Sequence, residues 1–172
     1  MARLLLVAAL VALLALGAYL VLGDGSASSE DAVVARVLDG DTIVLTSGRH
    51  VRLVQIDTPE KGTECYGEDA SELTRRLLPP GTHVRVEQDP HLDQVDRYDR
   101  ELAYVFKDDE NVNATLARQG AAGVWFFHGR EGRYADELLH AAEQARAARR
   151  GLWGACPLAR FDPSAAMSSG PA

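Results

Sequence analysis

Between Val33 and Ile56 the chain carries three short apolar runs separated only by turn-forming residues, and this spacing leaves room for little except a tight β-sheet. Val33 to Leu38 is the first strand candidate, and Asp39-Gly40-Asp41 has turn chemistry. Thr42 to Thr46 is the second, and Ser47-Gly48-Arg49 connects it to a third over His50 to Ile56, whose side chains alternate polar and apolar with period two. Gly67 to Leu78 has helical spacing, with Ala70, Leu73, Leu77 and Leu78 on one face before Pro79-Pro80-Gly81 stops it. His83 to Gln88 and Glu101 to Lys107 supply two more strands. Asn111 to Gln119 reads as a short helix closed by Gly120, and Tyr134 to Arg150 as a long one stopped by Gly151. Three strands, a helix, two strands and two helices predict a mainly β fold with α elements: a five-stranded oligonucleotide-binding (OB-fold) barrel with three helices against it.

The amino end sets a second constraint. Leu4 to Leu22 is unbroken apolar sequence behind Arg3, with no acid before Asp24. That length suits one membrane-spanning helix better than the core of a signal peptide, although Gly25-Ser26-Ala27 offers a processing site. Arg3 is the only positive charge before Arg36, so the amino end stays inside and the rest is exported. The expected division is therefore a signal anchor or signal peptide over 1–23 and a linker over 24–31. A folded domain over 32–156 and a disordered tail over 157–172 complete it. The product is extracytoplasmic, either anchored by one span or secreted, and is expected to act as a monomer.

Composition narrows the chemistry. The 172 residues carry a net charge of −7, which argues against a protein that holds polyanions through general basicity. Any such attraction must be local. Asp41, Asp57 and Glu60 are acids near strand ends, and Arg52 and Arg100 lie in the same region of the sheet. Carboxylates among oxygen ligands suit a hard divalent cation, and arginine forks suit a phosphate and the charge it gains under attack. None of the five histidines is paired at zinc-ligand spacing on a helix. Cys65 and Cys156 are the only cysteines, and in an exported domain an even count invites a disulfide.

Three strings carry a family resemblance: Asp39-Gly40-Asp41-Thr42, Arg52-Leu53-Val54-Gln55-Ile56-Asp57-Thr58-Pro59-Glu60, and Asp96-Arg97-Tyr98-Asp99-Arg100 leading into Leu102-Ala103-Tyr104. With the order of elements and the Arg150-Gly151-Leu152-Trp153 ending, the stretch from Ala32 to Trp153 resembles the thermonuclease (staphylococcal nuclease-like) family. The resemblance implies a Ca²⁺-dependent nuclease acting on DNA or RNA and leaving 3′-phosphate ends. Asp41, Asp57 and the carbonyl of Thr58 would hold the metal. Glu60 would be the general base or water-orienting group, and Arg52 and Arg100 would clamp the phosphate. Arg97, Tyr98 and Phe126 are the implied substrate contacts, with Trp125 in the same aromatic cluster. Asp99 stands where glycine is common in the family. The competing reading is a non-catalytic nucleic-acid-binding barrel at the cell envelope, against which the complete acid set Asp41, Asp57 and Glu60 weighs.

Overall fold

The computed structural model describes residues 28–172. The proposed membrane or signal segment over 1–23 lies outside the described residues. Among the described residues, no helix is long and apolar enough to cross a membrane.

The predicted barrel is present. Strand β1 (Ser29–Val37) pairs antiparallel with β2 (Thr42–Leu45) along its second half and with β5 (His83–Glu87) along its first half. A register shift between Val34 and Arg36 bends β1 so that one strand serves both sides. β2 pairs with β3 (His50–Leu53), β3 runs parallel to β6 (Glu101–Lys107), and β6 returns to β5. The five strands therefore close on themselves and leave no long free edge. Inside lie Val34, Ile43, Leu45, Val51, Leu53, Val86 and Tyr104, all essentially without solvent contact.

Two expectations change at the strand boundaries. Ser29, Glu30 and Asp31, which read as linker, pair with Glu87, Val86 and Arg85. Main-chain pairing is indifferent to the polarity that made this stretch resemble a tether. The third strand also stops early. Gln55 adopts φ 62°, and the chain turns there before a two-residue strand β4 (Ile56–Asp57). The buried Gln55 amide drives the turn. Its Nε2 donates to the Arg130 carbonyl, and its Oε1 accepts from the Tyr104 hydroxyl and the Gly132 N–H. Period-two patterning cannot reveal such long-range partners. Of the two shorter strands beyond β6, β7 (Glu110–Asn111) pairs with the end of β6, and β8 (Gly123–Val124) receives β4 with Asp57 opposite Gly123.

Helix α1 (Gly67–Leu77) places Glu68 and Asp69 in its first turn and Arg75 and Arg76 in its last, matching the helix dipole at both ends. Its buried Thr74 hydroxyl donates to the Gly40 carbonyl at 2.6 Å, tying the helix to the Asp39–Asp41 turn. Helix α2 (Val112–Arg118) is capped by Asn111, whose side chain accepts the Ala114 N–H. Within α2, the buried Asn113 side chain accepts from Val105 N–H and donates to the Val54 carbonyl, securing the point where β3 breaks. Helix α3 (Ala135–Ala147) packs on α2 and buries Leu138, Ala141, Ala142 and Ala145. The short α4 (Leu152–Ala155) ends at Cys156, which is disulfide-bonded to Cys65 across a Cα–Cα distance of 5.9 Å.

The bridge joins residues 91 positions apart. Closing a loop of that length restricts the unfolded chain, so reduction or Cys156→Ser should cost about 4 kcal/mol. Thermal melts with and without reductant measure this directly. Coincident curves would mean that the bridge constrains nothing.

The tail differs most from expectation. The proline and serine content of residues 157–172 predicts disorder, yet they lie against the domain. Pro163 O accepts the Phe126 N–H, Cys65 N–H donates to Gly170 O, and Ala172 N–H donates to Thr63 O. Ser164 bonds to the Asp162 carboxylate, and Ser169, almost wholly buried, donates to the Cys65 carbonyl. Composition suggested disorder because the apolar surface that receives the tail belongs to distant residues.

Candidate active site

A cleft of about 660 Å³ opens where β3, β4, the Asp96–Arg100 turn and the segment after β8 meet. Its floor holds Asp41, Arg52, Asp57 and Thr58, and its walls carry Glu60, Arg100, Tyr98, Trp125 and Phe127. The expected site residues converge here, except Phe126, described below.

Asp41 leaves the turn between β1 and β2. Asp39 makes that turn by accepting the Asp41 N–H, in keeping with its expected role. Gly40 permits the close approach, since a Cβ there would lie 2.5 Å from the Thr58 hydroxyl oxygen. Asp41 Oδ2 accepts both the main-chain N–H and the hydroxyl of Thr58, each at 3.0 Å. Its Oδ1 accepts from Thr42 Oγ1 and forms an ion pair with Arg52 Nε. Arg52, only 8% exposed, stands between the two aspartates. It forms an ion pair with Asp41 through Nε at 3.0 Å and donates to Asp57 through Nη2 at 2.5 Å. Its Nη1 donates to the carbonyls of Leu53 and Ile56, gripping the chain on both sides of the Gln55 turn.

Asp57 takes a second hydrogen bond on Oδ2 from the Met167 N–H at 2.7 Å. Burial pushes its carboxyl up to about 6; the negative charges of Asp41 and Glu60 add to the rise, while Arg52 and the Met167 N–H oppose it. The unfolded chain loses this proton near pH 4, so between about 4 and 6 the folded state holds a proton that the unfolded state has released. This carboxyl therefore lowers stability as pH rises through that window, in the absence of metal. A carbon-detected NMR titration in chelator should show Asp57 titrating near 6. A midpoint at or below 4 would contradict burial as the dominant influence on this carboxyl.

Arg100 reaches the cleft from the start of the β6 segment. Its Nε donates to Asp96 Oδ2 at 2.7 Å, its Nη2 pairs with the same oxygen at 2.7 Å, and its Nη1 lies 3.3 Å from Thr42 Oγ1. Burial of Asp96 works against ionisation, but hydrogen bonds from the Arg100 main chain and side chain prevail and hold its carboxyl below the usual range. Asp99 has φ 61°, so the position requires a left-handed residue, which explains how aspartate substitutes for the glycine common in the family. Its side chain faces solvent. Arg97 and Arg100 both stack on the ring of Tyr98, which is 63% exposed. Glu60 is exposed on the cleft wall, and Glu64 Oε2 accepts its main-chain N–H at 2.7 Å.

Phe126 is the exception. It is 5% exposed and part of the hydrophobic core, whereas its neighbours Trp125 and Phe127 line the cleft. The alternation running from β8 puts Val124 and Phe126 on the inner side and leaves Phe127 half-exposed. Extending that period-two pattern from Val124 would have identified the outward ring. By contrast, no local sequence signal marks Gln55 or the Met167 N–H, since their partners lie far along the chain.

The donor set is compatible with a hard cation. The Asp41 and Asp57 carboxylates are bridged by the Arg52 guanidinium, and the Thr58 main chain adjoins Asp41 through its N–H, so two acids lie together at the cleft floor beside a positive group. Among the described residues no group of three His, Cys, Asp or Glu side chains forms a metal cage. Such a site suits an ion that accepts irregular oxygen coordination and keeps several waters.

A closed β-barrel with paired acids and arginines at its mouth is an arrangement suited to phosphodiester chemistry. Comparison with known proteins agrees. Residues 50–155 match the family described as staphylococcal nuclease homologue. The thermonuclease of Staphylococcus hyicus is 33% identical over 76% of this chain and 80% of its own length. Endonuclease YncB of Bacillus subtilis is 36% identical over 69% of this chain and 59% of its own length. The SPbeta prophage-derived endonuclease YokF of the same organism is 35% identical over 72% of this chain and 44% of its own length. The chain belongs to the staphylococcal nuclease homologue family, and with it to the nucleases, hydrolases of phosphodiester bonds.

Proposed function

We propose that this chain is an exported, Ca²⁺-dependent nuclease that cleaves DNA or RNA, or both, with little sequence preference and leaves 3′-phosphate ends. The observation that carries the reading is the bridge from Arg52 to both Asp41 and Asp57 at the floor of a cleft walled by Glu60 and Arg100. Asp41, Asp57 and the Thr58 carbonyl would hold calcium, which supplies positive charge to phosphate oxygens. Arg100 donates to the same phosphate from the other wall as charge builds on it. Glu60 accepts the proton of the attacking water, or orients that water for in-line attack. Tyr98, Trp125 and Phe127 offer ring faces on which bases stack without being read, and Arg97 adds phosphate attraction. Product polarity rests on the family resemblance. Export is supported by the apolar run Leu4–Leu22 and by the Cys65–Cys156 disulfide, a bond that persists in oxidising compartments.

The test is cleavage of single-stranded DNA and of RNA by the purified protein with Ca²⁺, with Mg²⁺ and with chelator. Activity should require Ca²⁺ and fall by at least about 100-fold in chelator. Arg100→Ala should lower it by about 10²–10³-fold with Ca²⁺ present. Intact substrate under every condition, from folded protein, would leave the non-catalytic binding barrel as the better description.

A further inference from the structure

The segment after α4 is built into the cleft. From Cys156 the chain turns at Asp162, whose carboxylate accepts the Ser164 N–H and hydroxyl, and Pro163 then takes the Phe126 N–H. Ala166 reaches the cleft wall. Met167 follows, its side chain seated over Gly123, where an added Cβ would lie 2.7 Å from the sulfur. Gly123 is the residue that faces Asp57 across the β4–β8 pair. Beyond Met167 the chain runs beside the loop that carries Glu60, through Ser169, Gly170 and a bridge between Pro171 and Glu64. One segment thus contacts both Asp57 and the loop that follows Glu60.

We propose that Met167 is a positioning residue of the nuclease site: its main-chain N–H, with Arg52, fixes the Asp57 carboxylate in its ligating orientation. The proposal rests on the reading of Asp57 as a calcium ligand. Arg52 holds Oδ1 and Met167 holds Oδ2, so the carboxylate cannot rotate about its terminal bond without losing one of two hydrogen bonds. Each oxygen can accept more than one bond, so a cation can still approach from the cleft. Hydrogen bonds to a ligating carboxylate orient it for the metal, and their loss commonly weakens metal binding by about 10–100-fold. The opposite role, a strap that competes with the metal and is expelled by it, predicts the reverse.

Two variants of the full chain separate the N–H from the side chain. Met167→Pro deletes the donor, whereas Met167→Ala keeps it and removes the packing over Gly123. Ca²⁺ titration by calorimetry, with Ca²⁺ alone as the probe, should show affinity reduced by about 10-fold or more in Met167→Pro. Met167→Ala should bind like the wild type. Equal affinity in wild type and Met167→Pro, or tighter binding in the proline variant, overturns the proposal, and so does an equal loss in Met167→Ala. Should Met167→Pro fail to fold, amide hydrogen exchange on the wild-type protein decides. The Met167 N–H should stay protected when Ca²⁺ is added, and its release into fast exchange would instead identify an expelled strap. Absence of any Ca²⁺ binding by the wild type overturns the calcium reading itself, and this proposal with it.

Discussion

Arg52→Ala should destabilise the metal-free protein by about 3–5 kcal/mol, the cost of removing one partner from a buried charge cluster. The reason lies in what remains. Asp41 and Asp57 would face each other with no cation between them, and the carbonyls of Leu53 and Ile56 would lose their donor. Arg52 makes its four contacts from a position 8% exposed, so water replaces few of them. Arg52→Lys should recover only part of the loss, because one ammonium cannot reach two carboxylates and two carbonyls in the geometry of a planar fork. Thermal or urea unfolding in chelator measures the effect. Added Ca²⁺ should restore part of the stability of Arg52→Ala by supplying the missing positive charge. A loss below about 1 kcal/mol would place Arg52 among surface ion pairs, which contribute that little.

Glu60→Gln should reduce Ca²⁺-supported cleavage by about 10²–10⁴-fold, the usual contribution of a positioned acid–base group. Glutamine keeps the shape and hydrogen-bonding capacity of the side chain but cannot take a proton. Folding should be unaffected, because the Glu60 side chain is exposed and the bond that fixes this segment is made by its main-chain N–H to Glu64. Ca²⁺ affinity should change little. Unaltered activity in Glu60→Gln would remove the base role and leave water activation to another group.

Much of the fold and site is legible in local sequence. Turn residues at Asp39-Gly40-Asp41 and Ser47-Gly48-Arg49 end strands through their own backbone preferences, and the apolar period of α1 and α3 follows from which face is buried. Asp41, Asp57, Thr58, Glu60 and Arg100 all reach the cleft because each sits at the end of a strand or in the turn beside it, and strand ends converge at a barrel mouth. Phe126 was misassigned because an aromatic cluster was read without its phase. The ring at 127, not the ring at 126, faces the cleft.

The order of the five barrel strands and the three longer helices, the barrel class and the identity of the reactive groups are carried by neighbouring residues, through propensity, turn chemistry and side-chain type. Tertiary structure alone decided where β3 breaks, which carboxylate oxygen meets which donor, and what becomes of the tail. Gln55 turns the chain because Tyr104, Arg130 and Gly132 satisfy its amide, and Asp57 is oriented by a main-chain N–H from residue 167. Hydrogen bonds across such separations depend on where the closed barrel brings distant segments, and no local pattern encodes that meeting.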